Sequence, residues 1–431
     1  MTRVIPASVT ADDLSTVVAD LVPLVGLVAL GWSPSVVLAV YVADLVAVCV
    51  WTLVKIPFAR KRSNNYLDRL RQRGTFRFRL IAPLQAKRGG LSLPGQLPPV
   101  YLRNLPGLAV GVFLAPLLAL AGFLIYASTH PQITAATAGS ILIGAVTVFV
   151  ARGVATWRSY FTGGYREHSA RSLLLVPLRY GFVVAAALLV VLVVQSADLT
   201  QLSPFRGAAV AAVGKLAYDS RTLWLARDED RRGLIKHLYG SERTEIEPEP
   251  IDVPDEAPLA TIAARRRDSL LDTLAAGGRY LASVWGVVAA GIVALGVVGG
   301  SLLLALVGLG IATVFVSLRA VVRYLRYGTL TYRCYEDTVV VYDRVLDAPQ
   351  ARTRHAMITD VTVERGWLDR ILGTETVDVA VAAGTDGLSM SATVPDPEDV
   401  DTGDDAGRDV SIRIRHVSDP ESFLAALDAD R

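Results

Sequence analysis

The sequence predicts an α-helical polytopic membrane protein of about eight transmembrane helices, with a small soluble β-domain and a closing helix at its C-terminal end. Three observations predict it. The chain is 52% hydrophobic and only 19% charged, outside the balance of an ordinary soluble enzyme. Five apolar runs are each long enough to cross a bilayer. After Gly328 the pattern changes abruptly from long apolar runs to short β-rich segments.

A helix needs about 20 mainly apolar residues to cross the hydrocarbon layer. The runs 15–32, 35–55, 108–126, 133–151 and 173–195 meet that length. The first is read as a retained helix, since no small-residue cleavage pattern precedes a polar start. The stretch 280–323 is too long for one crossing, and Gly299-Gly300-Ser301 near its middle divides it into two helices joined by a tight turn.

The eighth span is inferred from charge. The run 205–225 contains Arg206, Lys215, Asp219 and Arg221 and scores poorly on hydropathy. The loop 56–107 carries eleven Lys and Arg, the loop 152–172 four and the segment 221–279 ten, while the turns near 33–34, 127–132 and 196–204 carry none. If 205–225 crosses, all 25 of these charges share one side, as the positive-inside rule requires of a cytoplasmic face. A re-entrant or surface-lying helix is the alternative, because Lys215 and Asp219 are costly at membrane depth. Both termini are then expected in the cytoplasm and the protein in the plasma membrane, as a multi-pass chain.

The expected organisation is a six-helix membrane domain at 1–226, an acidic, Pro-rich cytoplasmic linker at 227–258, an amphipathic segment with a transmembrane hairpin at 259–327, and a β-domain at 328–431. The stretch 241–258 alternates acidic residues with Pro and has no apolar face to bury, which suits an extended, solvated linker. Residues 259–278 read as a short helix ending at Gly277-Gly278, with Arg265, Arg266 and Arg267 near the inner leaflet. Strands are expected at 329–335, 338–346, 355–365, 376–383 and 411–417. Asp419 as a cap and Pro420 at the first helical position open the last helix, with Phe423, Leu424 and Leu427 on one face. The stretch 384–410 reads as a long acidic loop.

The formal charge of +2 conceals an asymmetry: residues 329–431 carry 10 Lys or Arg against 21 Asp or Glu, and the rest 33 against 20. The basic residues lie in loops between apolar runs, where topology accounts for them, so no nucleic-acid partner is implied. Two cysteines, Cys49 and Cys334, allow neither a disulfide framework nor a cysteine-rich metal site. The five histidines (130, 168, 237, 355 and 416) lack metal-ligand spacing. Phosphate-loop, dinucleotide-binding and nucleophile-elbow motifs are absent. No cofactor is implied, and the balance leans away from an enzyme.

Two resemblances add to this reading. The run AMITDVTVERGWLDRILGTETVDVAVAAG, through Ile358, Val361, Val363, Arg365, Leu368, Leu372, Gly373, Thr376 and Val377, resembles the bacterial pleckstrin-homology-like (PH-like) domains that follow a pair of transmembrane helices. That resemblance implies a bent, partly open β-barrel plugged by the C-terminal helix, and it brings no defined ligand. The acidic loop 384–410 departs from the compact pattern. The first 226 residues resemble a family of multi-spanning proteins of unknown function from halophilic archaea, through YVADLVAVCVWTLVKI at 41–56, RSYFTGGYREHSARS at 158–172 and VGKLAYDSR at 213–221. Five lysines against 38 arginines and the Asp-rich soluble part agree with a source in concentrated salt.

Charged groups within spans cost about 2.5–3.5 kcal/mol each at the helix centre, so each is a functional candidate. Asp44 lies near the middle of the second span, Arg179 inside the fifth, and Lys215 with Asp219 in the sixth. Lys215 and Asp219, four residues apart, share a helical face and can pair. Asp44 lacks a partner in its own helix, so it either meets another helix, with Lys215 or Arg179 the obvious choices, or is protonated. Trp157, Tyr160, Phe161 and Tyr165 read as an aromatic belt or a headgroup or partner contact. Arg352, Arg354, Arg413 and Arg415 alternate on expected strands and form a candidate interaction surface for an anionic partner, or simply the solvated face of a half-buried sheet.

The favoured function is a non-enzymatic anchor or scaffold in the lipid bilayer, whose cytoplasmic β-domain engages a protein or anionic-lipid partner. The alternative is an ion- or proton-coupled transporter using Asp44, Lys215 and Asp219. A weaker third idea is an envelope enzyme acting on lipid near His168 and the 56–107 loop. The sequence is silent on oligomeric state.

Overall fold

A computed structural model describes residues 23, 25–63, 84–85, 87–95, 97–128, 134–196, 214, 245–246, 250–381 and 410–428. They fall into two compact units, one from 1–66 and 93–248, the other from 67–92 and 249–431. The sequence offered no signal that part of the loop after the second expected span would fold with the C-terminal half.

The first unit is helical. Helix α1 (Pro34–Lys55) starts with Pro34 at its first position, where the missing N–H costs nothing. Around it pack α2 (Leu105–Ser128), α3 (Ala135–Ala155) and α4 (Ala170–Ser196). The span containing α1 is 67% buried against 11% for those containing α2 and α3, which makes α1 the core of the bundle. Val37, Leu38, Tyr41, Leu45 and Val48 supply that core. On α2 the outer residues Val112, Phe113, Leu117 and Phe123 are exposed, as a lipid-facing surface would be. Small residues bring the helices close: a Cβ on Gly144 would lie 2.5 Å from Val40, the kind of approach that replaces hydrophobic drive inside a bilayer. Thr134 and Thr137 form a capping box at the start of α3, satisfying N–H groups that have no intrahelical partner. Strand β1 (Arg62–Ser63) pairs with β2 (Glu245–Ile246), so this point of the acidic, Pro-containing stretch is ladder rather than solvated linker.

In the second unit, β3 (Ala260–Ala263) precedes α5 (Arg266–Tyr280), α6 (Val284–Val298) and α7 (Leu302–Arg323). The single helix expected across 259–278 is corrected: residues 260–263 pair antiparallel with β4 (Leu330–Cys334), because Thr261 and Ile262 find a ladder that outweighs their local helical pattern. The break at Gly299–Ser301 is as expected. Gly300 adopts φ +66°, which residues with a Cβ rarely adopt, and Ser301 Oγ caps α7. A 15-residue helix such as α6 rises about 22 Å, short of the roughly 30 Å hydrocarbon layer.

Strands β4, β5 (Thr338–Asp343) and β6 (Ala348–Arg354) extend from β3 as one four-stranded sheet, and β7 (Ile358–Glu364), β8 (Glu375–Val381) and β9 (Val410–Val417) form a second, three-stranded one. All the pairings are antiparallel. Strand β6 carries Arg352 and Arg354, expected to alternate on a strand, but its span lies between the expected segments 338–346 and 355–365. Helix α8 (Trp367–Leu372) ends at Gly373, left-handed at φ +66°, as the Leu-Gly pair implied. Helix α9 (Pro420–Asp428) closes the domain, with the Asp419 carboxylate accepting from the Ser422 N–H at 3.2 Å. Phe423 and Leu427 join Tyr332, Val339, Val377 and Ile414 in a single core drawn from both sheets.

Among the described residues, four helices are long and apolar enough to cross a membrane: Pro34–Phe58, Leu102–Ser128, Ala135–Tyr160 and Leu302–Gly328. The expected span 173–195 is the continuous helix α4. Half of the expected span 15–32 lies outside the described residues, as do all of 205–225 but residue 214 and all of the acidic loop 384–410 but residue 410.

Candidate functional site

Two buried polar clusters stand out, one in each unit. In the helical unit, Asp44 sits halfway along α1 with 2% of its surface exposed. Arg152 of α3 grips it with a fork: Nε donates to Oδ1, and Nη2 donates to Oδ2 at 2.8 Å. Tyr180 of α4 donates its hydroxyl to Oδ2, and the guanidinium lies 5.1 Å from the Tyr180 ring centre. One carboxylate thus draws together three helices through charge-assisted bonds, the strongest kind available in a low dielectric. Lys215 or Arg179 were the expected partners; among the described residues the carboxylate meets Arg152 and Tyr180. Arg152 was counted as a loop charge, because it falls at the edge of its apolar run, although α3 carries it to Ala155. Arg179 is partly buried on α4. Lys215 and Asp219 lie outside the described residues.

The aromatic segment after α3 is compact. Phe58 and Phe161 meet edge to face at 5.2 Å, Trp157 and Phe161 at 5.5 Å. Tyr160 donates to the Lys55 carbonyl at 2.9 Å, tying this segment to the end of α1.

In the second unit the cluster forms where α5, the end of α7 and β9 meet. Arg323 forks onto Asp272, at 2.6 Å and 2.9 Å. His416 lies between two carboxylates, its Nε2 3.5 Å from Asp272 and its Nδ1 2.7 Å from Asp369. Asp369 also accepts from Thr374 and Thr376, at 2.9 Å and 3.0 Å. The register of β8 with β9 slips opposite Thr376, so Arg415 and His416 together face a single residue, which is a β-bulge. His416 there adopts φ +58°, and the bulge lets both His416 and Val417 be buried. Ser269, Asp272, Thr273, Arg323, Tyr327 and His416 line a small polar recess.

Burial alone would lower the His416 imidazole, but the Asp272 carboxylate beside Nε2, with the charge and hydrogen bond of Asp369, outweighs it and holds the group above the ordinary histidine value. Burial would likewise raise Asp272, yet the His416 imidazole beside it, the two hydrogen bonds from Arg323 and the Arg323 charge keep it well below the usual carboxylate range. His416 and Arg323 thus lie against two carboxylates, Asp272 and Asp369. The chemistry is that of a joint: it fastens the apolar hairpin to the sheets and responds to pH. No group of three or more His, Cys, Asp or Glu among the described residues could hold a metal ion.

Of the four arginines singled out, Arg352 and Arg354 project outward from β6, with Arg352 half-buried and 3.7 Å from Asp252. Arg413 and Arg415 lie on β9 in the other sheet. Arg413 pairs with Asp378 at 2.8 Å, and Arg415 stacks on Tyr327 at 5.2 Å, a ring also flanked by Arg326 at 4.8 Å. Sequence reasoning missed Asp272, Asp369, Arg323 and His416, because a bulge and four separate elements bring them together. A visible signal was Arg323 at the end of an apolar helix.

The family model for the Family of unknown function (DUF6498) matches residues 6–234, and that for the bacterial PH domain matches residues 284–431. No curated protein and no solved structure matches the chain. Both matches agree with the resemblances carried by 41–56, 158–172 and 358–377. The first spans more than half of the 431 residues, so the chain belongs to the Family of unknown function (DUF6498) and carries a bacterial PH domain at its C-terminal part.

Proposed function

We propose that this is a non-enzymatic membrane anchor or scaffold, with about eight spans, both termini in the cytoplasm, and a cytoplasmic PH-like domain that engages a protein or anionic-lipid partner. The observation that carries this reading is the Asp272–Arg323–His416–Asp369 joint, which fixes the sheets to the end of the apolar hairpin. A domain held so closely at a membrane helix is suited to presenting a surface there. Arg352 and Arg354 on the outer face of β6 are the proposed contact. The use of Asp44 in a three-helix ion pair supports structural duty for the bundle.

The test is photo-crosslinking from reactive amino acids placed at Arg352 and Arg354 in the full-length protein in native membranes. A discrete protein or lipid adduct that is lost on charge reversal of the neighbouring arginine supports the reading; no adduct from either position refutes it. Because Asp44 lies mid-helix, an ion- or proton-coupled carrier using Asp44, Lys215 and Asp219 is the second reading. It requires that Asp44→Asn abolish flux in reconstituted vesicles.

A further inference from the structure

Residues 84–85 and 87–90, in the loop between α1 and α2, include a run that folds against the end of the β5–β6 hairpin, and the contacts there are of an unusual kind. Lys87 is buried with its Nζ 2.6 Å from Asp343 Oδ2, and Asp343 is fully buried. That carboxylate is saturated: Oδ2 also accepts from Thr329 at 2.8 Å, and Oδ1 accepts from the N–H groups of Val345 and Leu346, at 2.9 Å and 3.2 Å. Next to it, the buried side chain of Gln350 reads the backbone of Arg88 as a strand would. Its Oε1 accepts from the Arg88 N–H at 2.8 Å, and its Nε2 donates to the Arg88 carbonyl at 3.0 Å. The following residue, Gly89, adopts φ +83°, and a Cβ on it would stand 2.6 Å from the Ala348 Cβ and 2.9 Å from the Leu346 carbonyl oxygen. Leu84, 1% exposed, completes the run.

A charged side chain in a matched buried socket, a two-point backbone clasp and a glycine-only position together are the elements of peptide recognition. Backbone bonds supply affinity, and the flanking pockets supply specificity. The two ends of this contact are 256 residues apart in sequence, so no local turn chemistry accounts for it. We propose that the hairpin end of the PH-like domain is a peptide-binding site for a Leu-x-x-Lys-x-Gly segment, and that its resident occupant is residues 84–89 of this same chain. The loop joining two membrane helices is thereby the domain's internal ligand. The site is separate from the outward arginines of β6 and stands whether or not those meet an external partner.

The test uses the full-length protein in lipid nanodiscs. In one variant, residues 84–90 are replaced by a Gly/Ser stretch of equal length, and the probe is a fluorescent peptide of residues 82–92. The loop-replaced variant binds the peptide. The Lys87→Met and Gly89→Ala peptides bind at least about tenfold more weakly, as expected when a buried carboxylate loses its partner or a Cβ meets backbone. The intact chain, whose site is filled, also binds the peptide at least about tenfold more weakly. Equal binding of the three peptides, or none by a folded loop-replaced variant, overturns the proposal. Should that variant not fold, hydrogen exchange in the intact chain carrying Gly89→Ala decides. Faster exchange at Arg88 with unchanged β5 and β6 amides marks a bound ligand. Unchanged exchange at Arg88, or loss of protection in the strands as well, marks a segment integral to the core and overturns the proposal.

Discussion

Removing Arg152 should destabilise the helical bundle far more than neutralising Asp44, and the difference follows from where each side chain sits. Asp44 is at the midpoint of the central helix with its side chain 3% exposed, whereas Arg152 is 18% exposed near the end of α3. Arg152→Met strips a buried carboxylate of the guanidinium that forks onto both its oxygens, a loss of about 3–5 kcal/mol. Asp44→Asn keeps a side chain that accepts from Tyr180, and the freed guanidinium can extend toward the polar end of its helix. Its cost should be about 1–2 kcal/mol. The double variant should then be less damaged than the sum of the two by about 2 kcal/mol. The assay is reversible unfolding in mixed micelles across the double-mutant cycle. Additivity within about 0.5 kcal/mol, or Asp44→Asn costing as much as Arg152→Met, would refute the claim that this pair locks α1 to α3.

Three further outcomes are expected. Because the folded state holds His416 above the ordinary histidine value, its contribution is complete below that ordinary value and is lost as pH rises through the raised one. Thermal melts should therefore show stability falling on the alkaline side, and His416→Gln should remove that slope; an unchanged slope would contradict the joint. Cys334 is fully buried with its thiol pushed up to about 12, so maleimide at mildly alkaline pH should leave it unlabelled until the domain unfolds; rapid labelling of the native protein would contradict this placement. Phe423→Ala should cost about 3–5 kcal/mol, since Phe423 is 1% exposed in the core shared by both sheets; a loss under about 1 kcal/mol, read by denaturant unfolding, would mean that α9 is not integral to that core.

Apolar length and turn residues made much of the helical architecture legible. The runs at 35–55, 108–126, 133–151 and 173–195, and the split at Gly299–Ser301, needed only bilayer thickness and glycine stereochemistry to be seen. The closing helix was equally plain, because Asp419 and Pro420 act on their own neighbours. What escaped was non-local. Strand β3 looks helical in isolation and is a strand because β4 lies beside it. Arg152 and Tyr180, which meet Asp44, sit 108 and 136 residues away on other helices. Of five scattered histidines, nothing local distinguishes His416, whose burial depends on a bulge and on carboxylates from α5 and α8. Lys87 in a basic loop reads as one topology charge among eleven, and only the tertiary fold shows that it is spent on Asp343.

That last contact has a consequence for the order of assembly. Lys87 leaves the ribosome 256 residues before Asp343, which at about 5–20 residues per second is a wait of roughly 13 to 50 s. During that time the helices on both sides of residues 84–90 are already available to the bilayer, while the socket that will receive Lys87 has not been made. The segment must stay solvated and unentangled through the whole interval, and its lysine, arginine and paired glycines suit that state. Closure of the loop onto the hairpin therefore waits for β5 and β6, so a segment that leaves the ribosome early is fixed only once the first sheet of the C-terminal domain has been made.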